Sequence, residues 1–219
     1  MSAVLVDALG TLVELQRPWP YLVRELAERG VSVGEPDARE AMLAEMAYYR
    51  IHHDEASDME GLSDLRRRCA AILRDRLGLA LGIEEVEAAM LAALRFRPYP
   101  EVPGVLRALR DRGSAIVVVS NWDVSLHGVL RRTGLDELVD AVVTSAELGV
   151  AKPDPLIFEH ALALAGAAPE DALHVGDDVA ADVDGARGAG ITPVLVVRDG
   201  APAPPGVHAI ESLEGLLAA

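Results

Sequence analysis

The chain has 219 residues, 51% of them hydrophobic and 25% charged, with a formal net charge of −15. That length and composition are ordinary for a globular protein and allow a substantial buried core. The acidic balance argues against a nucleic-acid partner, which needs a basic face, and the single cysteine, Cys69, excludes an internal disulfide.

Taken in chain order, the first segment is a short apolar run, Ala3–Val6, that stops at Asp7 and is followed by Gly10 and Thr11. A continuous apolar run of this length predicts a strand buried on both faces. The stretch from Val13 to Arg97 then contains no good strand and predicts helices over 19–29, 36–52, 61–77 and 84–94, the third carrying Cys69 as a packed thiol. Past Pro98 and Pro100 the apolar runs return at 115–119, 141–144, 172–175 and 193–197. Helical patterns fall at 102–112, 124–132, 155–164 and 179–189, each ending near a glycine. Strand and helix in alternation predict an α/β core with a parallel sheet, here residues 1–13 with 98–219, interrupted by an all-helical insertion over 14–97. Ala201–Gly206 predicts a proline-rich surface loop. No run reaches the roughly 18 apolar residues of a membrane span, and no secretory leader is evident, so the expectation is a cytoplasmic protein with no membrane partner, a monomer or homodimer.

In an open parallel sheet, ligands bind beyond the carboxyl ends of the strands, where the strand order switches direction. The polar residues predicted at those ends are Asp7, then Ser120 and Asn121, then Asp177 and Asp178. Lys152, the only lysine in the chain, follows the third strand of the alternating region by several residues. Carboxylates gathered in one crevice make a site for a hard cation such as Mg²⁺. Lys152 would hold a phosphate oxygen and keep Asp7 ionised, and Asp7 would attack phosphorus as a carboxylate nucleophile.

These residues resemble the four ordered motifs of the haloacid dehalogenase superfamily. Asp7-Ala8-Leu9-Gly10-Thr11-Leu12 is similar to the first, Ser120 in Val-Val-Val-Ser-Asn to the second, and Lys152 in Ala-Lys-Pro-Asp-Pro to the third. Gly176-Asp177-Asp178 with Asp182 is similar to the fourth. The resemblance implies a Rossmann-like three-layer core with a helical cap inserted after the first motif, which closes over the site and sets substrate choice. It implies a hydrolase of small phosphorylated metabolites with Asp7, Lys152 and Ser120 as catalytic residues. Ser120, Asn121, Lys152 and Thr11 would contact substrate. Asp7, Asp177 and the backbone carbonyl of Leu9 would ligate Mg²⁺, with Asp178 and Asp182 supporting the metal site.

One position departs from the pattern. Phosphatases of this family carry a second Asp two residues after the nucleophile, and here that residue is Leu9. A side chain without a proton cannot supply the roughly 10²–10⁴ in rate that general acid–base catalysis gives. Four readings compete. A dehalogenase also lacks that Asp, but its fourth motif is Ser/Asn-rich rather than acidic. A phosphonatase needs a cap lysine, which the chain does not have. A phosphatase would need either a substrate with a good leaving group, such as an acyl phosphate, or another proton donor: Glu14, Asp123, His52 or His53. A catalytically weakened binding protein would keep the scaffold without turnover. The run Tyr48–His53 in the insertion is a candidate substrate-recognition patch.

Overall fold

The structure, a computed structural model, describes residues 2–198 and 200–218. The chain divides into two compact units, one formed by 1–14 with 98–219 and the other by 15–97. The first is built on a six-stranded sheet and the second is almost wholly helical.

The sheet strands are β1 (Ala3–Val6), β4 (Ala115–Ser120), β5 (Ala141–Thr144), β6 (Ala172–Gly176), β7 (Thr192–Val196) and β8 (Ala209–Ile210). They run in the order β5-β4-β1-β6-β7-β8, all parallel. β1 is central, with Val6 in register with Val118 on one side and Val175 on the other. Its four residues are buried to the last, as a strand covered on both faces requires. On one face Ala3, Leu5, Val117 and Val119 pack with Ile157, Phe158, Ala161 and Leu162 of α8 (Pro155–Ala165). The alternate residues Val4, Val6, Ile116 and Val118 are equally buried, and α5 (Val102–Asp111) inserts Val102, Val105, Leu106 and Leu109 into the core. α6 (Leu126–Thr133), α7 (Ser145–Leu148) and α9 (Gly185–Gly188) complete the layers.

Chain direction sets where the site falls. From β1 the sheet grows to β4 and β5, then the chain returns to the other flank of β1 and grows through β6, β7 and β8. The order therefore switches between β1 and β6, and a crevice opens outside their carboxyl ends. Asp7 follows one of these strands and Asp177 the other.

The second unit contains α1 (Trp19–Glu28), α2 (Glu35–His52), α3 (Met59–Leu77) and α4 (Ile83–Ala93). Each buries a stripe at helical spacing, such as Leu62, Leu65, Cys69 and Leu73 of α3. Asp58 caps α3 by accepting from the Gly61 amide at 2.8 Å, a bond worth about 1 kcal/mol. Cys69 is the packed thiol expected. The expectation of no strand between Val13 and Arg97 needs correction. β2 (Val13–Leu15) and β3 (Phe96–Pro98) pair with each other where the chain passes between the units. Each is three residues long, too short to show a period, and forms because its partner is present.

Two further differences lie in the core unit. β8, only two residues long, was not foreseen in the sequence. The helix expected over 179–189 is instead a π-helical turn, Val179–Asp184, followed by the short α9. The amides of both Asp182 and Val183 donate to the Asp178 carbonyl, at 2.9 and 3.3 Å, and this wider winding is common beside functional sites. Among the described residues no helix is long and apolar enough to cross a membrane.

Candidate active site

Four side chains from separate parts of the sequence meet at the carboxyl ends of β1, β4 and β6. Lys152 Nζ donates to Asp7 Oδ1 at 2.7 Å and to Asp182 Oδ1 at 2.6 Å. Ser120, the last residue of β4, donates from Oγ to the same Asp7 oxygen at 3.1 Å. All four are buried. Asp7 Oδ2 accepts no hydrogen bond among the described residues, so one carboxylate oxygen is anchored and the other is open.

Asp177 completes the cluster. Asp7, Asp177 and Asp182 each offer an oxygen within 4.8 Å of the others. An all-oxygen donor set of carboxylates suits a hard divalent cation and not a soft one. The electrostatics agree with that fit. Burial raises the Asp7 carboxyl above the ordinary range, with Lys152 pulling it back and the Asp182 charge pushing it further up. Although Asp177 as a residue is exposed, desolvation of its carboxyl, then the charges of Asp7 and Asp182, push it to about 7. A cation beside these acids would relieve both effects. Asp182 behaves differently. Burial works against its ionised form, yet Lys152 and then His174 outweigh it and hold the carboxyl well below the usual range. Its Oδ1 takes Lys152 and His174, and its Oδ2 takes the Asp178 amide at 3.0 Å. Both oxygens are engaged by the protein.

Two glycines make the close approach possible. A Cβ on Gly10, whose φ is +85°, would collide with the Asp177 carboxylate, and one on Gly176 would collide with that of Asp182. Only backbone without a side chain admits carboxylates this near.

The haloacid dehalogenase-like hydrolase family matches residues 1–190. The chain belongs to that family. The human haloacid dehalogenase-like hydrolase domain-containing protein 3 is 43% identical over 120 residues, covering 52% of this chain and 48% of that one. A phosphoserine phosphatase of Thermus thermophilus is 40% identical over 116 residues, 52% of this chain and 47% of its own. The chain thus spans about half the length of the curated relatives it matches. Over the whole fold, the crystal structure of a HAD phosphatase from Thermococcus onnurineus superposes with a TM-score of 0.70 at 27% identity, covering 100% of this chain and 97% of that chain.

Within this haloacid dehalogenase-like hydrolase, some expected residues stand elsewhere than at the cluster. The Asn121 side chain, expected on substrate, is committed to the backbone of Lys152: its Oδ1 accepts from the Lys152 amide at 2.7 Å and its Nδ2 donates to the Lys152 carbonyl at 2.9 Å. Asp178 caps the π-helical turn through the Ala181 amide at 2.7 Å and reaches the site only by its own backbone amide. Thr11 is fully buried, and its hydroxyl meets no hydrogen-bond partner among the described residues. Leu9 is 44% exposed. Of the alternative donors, Asp123 is buried with Oδ1 accepting from the Ser125 amide at 2.6 Å. In the helical unit His52 bonds Glu55 at 2.7 Å, and Glu55 also receives Arg68 at 2.6 Å. The Tyr48–His53 run is thereby part of a local polar network.

Two residues escaped the sequence reading. Arg198, just past β7, donates to the carbonyls of Gly10 at 3.0 Å and Thr11 at 2.6 Å and to Glu101 at 2.8 Å. Its guanidinium lies 3.4 Å from the Tyr99 ring centroid. It clamps the loop that follows Asp7 and, like the other polar residues at strand ends, stands just past a strand. His174 lies inside β6, where a lone histidine in an apolar run reads as filler.

Proposed function

We propose that this chain is a Mg²⁺-dependent phosphohydrolase acting on a small phosphorylated metabolite through an aspartyl-phosphate at Asp7. The observation that carries the reading is Asp7, anchored on one oxygen by Lys152 and Ser120 and free on the other, beside a cluster of carboxylates at the switch point of the sheet. The phosphatase relatives support the reading at the level of the family.

Asp7, Asp177 and the Leu9 carbonyl would hold the Mg²⁺, which when bound neutralises phosphate charge and the repulsion among the acids. The protein's own groups do the rest. Asp7 Oδ2 attacks phosphorus, the bond to the leaving oxygen breaks, and the leaving group departs with its electron pair. Lys152 and Ser120 hold Asp7 in the attacking orientation and present a cation and a hydroxyl to the phosphoryl oxygens. Water then attacks the phosphorus of the acyl phosphate, freeing phosphate and restoring the carboxylate. Leu9 cannot protonate a leaving group, so the preferred substrates are those whose leaving group needs no proton, with acyl phosphates as the type.

The deciding experiment compares acetyl phosphate and sugar phosphates with and without Mg²⁺, against an Asp7→Asn control. The reading stands on Mg²⁺-dependent turnover lost in the control and fails if wild type and control are equal. One observation favours a second reading: Leu9 in place of the acid also suits hydrolysis of a 2-haloacid. Chloride release from 2-chloropropionate without Mg²⁺ would establish that reading instead.

A further inference from the structure

We infer that His174 is a positioning residue: its Nε2–H fixes the Asp182 carboxylate that in turn holds Lys152 on Asp7. The inference rests on the proposed roles of Asp7 and Lys152.

His174 sits in β6 at the centre of the sheet and is fully buried. The side chains on either side of it, Leu173 and Val175, are apolar. Its Nε2 is 2.8 Å from Asp182 Oδ1, the same oxygen that accepts from Lys152. An ionised carboxylate only accepts, so Nε2 carries the proton and donates. Nδ1 is buried and meets no partner among the described residues, which suits an acceptor there better than a second donor. A buried unmet acceptor is tolerated more readily than a buried unmet donor. The Phe158 ring meets the imidazole edge-on, with centroids 5.0 Å apart and planes at 85°. A side chain wanted only for volume at this place would be leucine or phenylalanine, since a buried polar ring with one open nitrogen costs stability. The histidine is explained by the bond it makes. Asp182 is held at three points, by His174, Lys152 and the Asp178 amide. Without the histidine, its Oδ1 would be set by Lys152 alone, and the ammonium would no longer be fixed between two carboxylates.

The test uses the fact that Lys152 is the only lysine. Acetylation by trace acetic anhydride, read by mass spectrometry at residue 152, reports how firmly its ammonium is held, whether or not the protein turns over. Losing one hydrogen bond to a charged group shifts such an equilibrium by roughly 10-fold or more. H174F, which keeps a flat ring, somewhat larger, and loses the donor, should therefore label roughly 10-fold faster or more. H174Q, whose amide nitrogen reaches the same place, should recover most of the protection. In the phosphatase assay, H174F should lower kcat by a similar factor with little change in KM, and H174Q should restore it. Equal labelling of wild type and H174F, or H174Q as fast as H174F, overturns the inference. If H174F does not fold, ¹⁵N spectra of histidine-labelled wild type decide with H174Q. A protonated Nε2 with a bare Nδ1 supports the assignment, and the opposite tautomer overturns it. Failure of Mg²⁺-dependent turnover in wild type would remove the proposed reaction and leave the labelling and the tautomer to judge the hydrogen bond.

Discussion

Gly10 lies against the carboxylate of Asp177 so closely that a single added carbon would overlap it. Two parts of the sequence 167 residues apart meet there without a side chain between them, and both constraints on Gly10 act at once. Its φ of +85° disfavours any other residue, at about 1–2 kcal/mol for a residue with a Cβ. The clash, by contrast, is with the end of a side chain, which can rotate away. Gly10→Ala should therefore fold, with stability lowered by about 1–2 kcal/mol in thermal or urea unfolding. It should lose much more in function, because the relief of the clash moves Asp177 out of the cluster. Titration of Mn²⁺ followed by water proton relaxation should show at least about tenfold weaker binding. Wild-type affinity in the alanine variant would refute this account of the glycine.

The helical unit carries an acid that has no part in the cluster. Glu45 on α2 is 3% exposed, in the stripe with Ala38, Ala41 and Met42 that faces the unit's core. Burial pushes its carboxyl to about 7, and a hydrogen bond with Cys69 only partly opposes that. The folded state thus holds the proton more tightly than the unfolded chain, whose ordinary value is 4.5. Below that pH both states are protonated and the residue costs nothing. As pH rises from 4.5 to 7 the unfolded chain ionises first and stability falls, with the full loss of about 3 kcal/mol present above pH 7. Glu45→Gln should remove that slope, matching wild type near pH 4 and exceeding it near pH 8 in denaturation midpoints. Parallel pH profiles for the two proteins would show that Glu45 is not the cause.

Arg198 ties four groups of the core unit together: the Gly10 and Thr11 carbonyls, Glu101 and the Tyr99 ring. The flat fork of a guanidinium meets two carbonyls and a carboxylate while lying on an aromatic face, and an ammonium does not. Arg198→Lys should accordingly behave much like Arg198→Ala. Each should lose about 1–2 kcal/mol of stability and lower phosphatase kcat several-fold through the loosened loop after Asp7. Full activity in the lysine variant would mean that charge alone is needed here.

What the sequence disclosed and what it concealed divide along physical lines. The strand ends were legible at Asp7, Ser120 and Asp177, because each closes a mostly apolar run buried in the sheet. Lys152 stood out by being alone of its kind. The π-helical turn at Val179–Asp184 was not legible, since its winding follows from where Asp182 is held and not from any periodicity in the segment. Asn121 is expected on substrate from its place after a strand, and nothing in its neighbours reveals that its amide pairs with a backbone 31 positions away. β2 and β3 fall below the length at which a pattern exists.

Leu9 stands where the phosphatase pattern of the superfamily would place an acid, and the residue is 44% exposed, so the position has room for a polar group at little cost in packing. An aspartate there could protonate a departing alkoxide, a gain of about 10²–10⁴ for general acid catalysis. It would gain little for an acyl phosphate, whose leaving carboxylate departs without a proton. Leu9→Asp should therefore raise kcat/KM on a sugar phosphate by a factor within that range and leave acetyl phosphate almost unchanged. The contrast between the two substrates separates a missing acid from a merely improved site, because better Mg²⁺ binding would lift both rates together. Equal gains would point to metal binding, and no gain on the sugar phosphate would mean that the lack of an acid at position 9 is not what limits departure of an alkoxide.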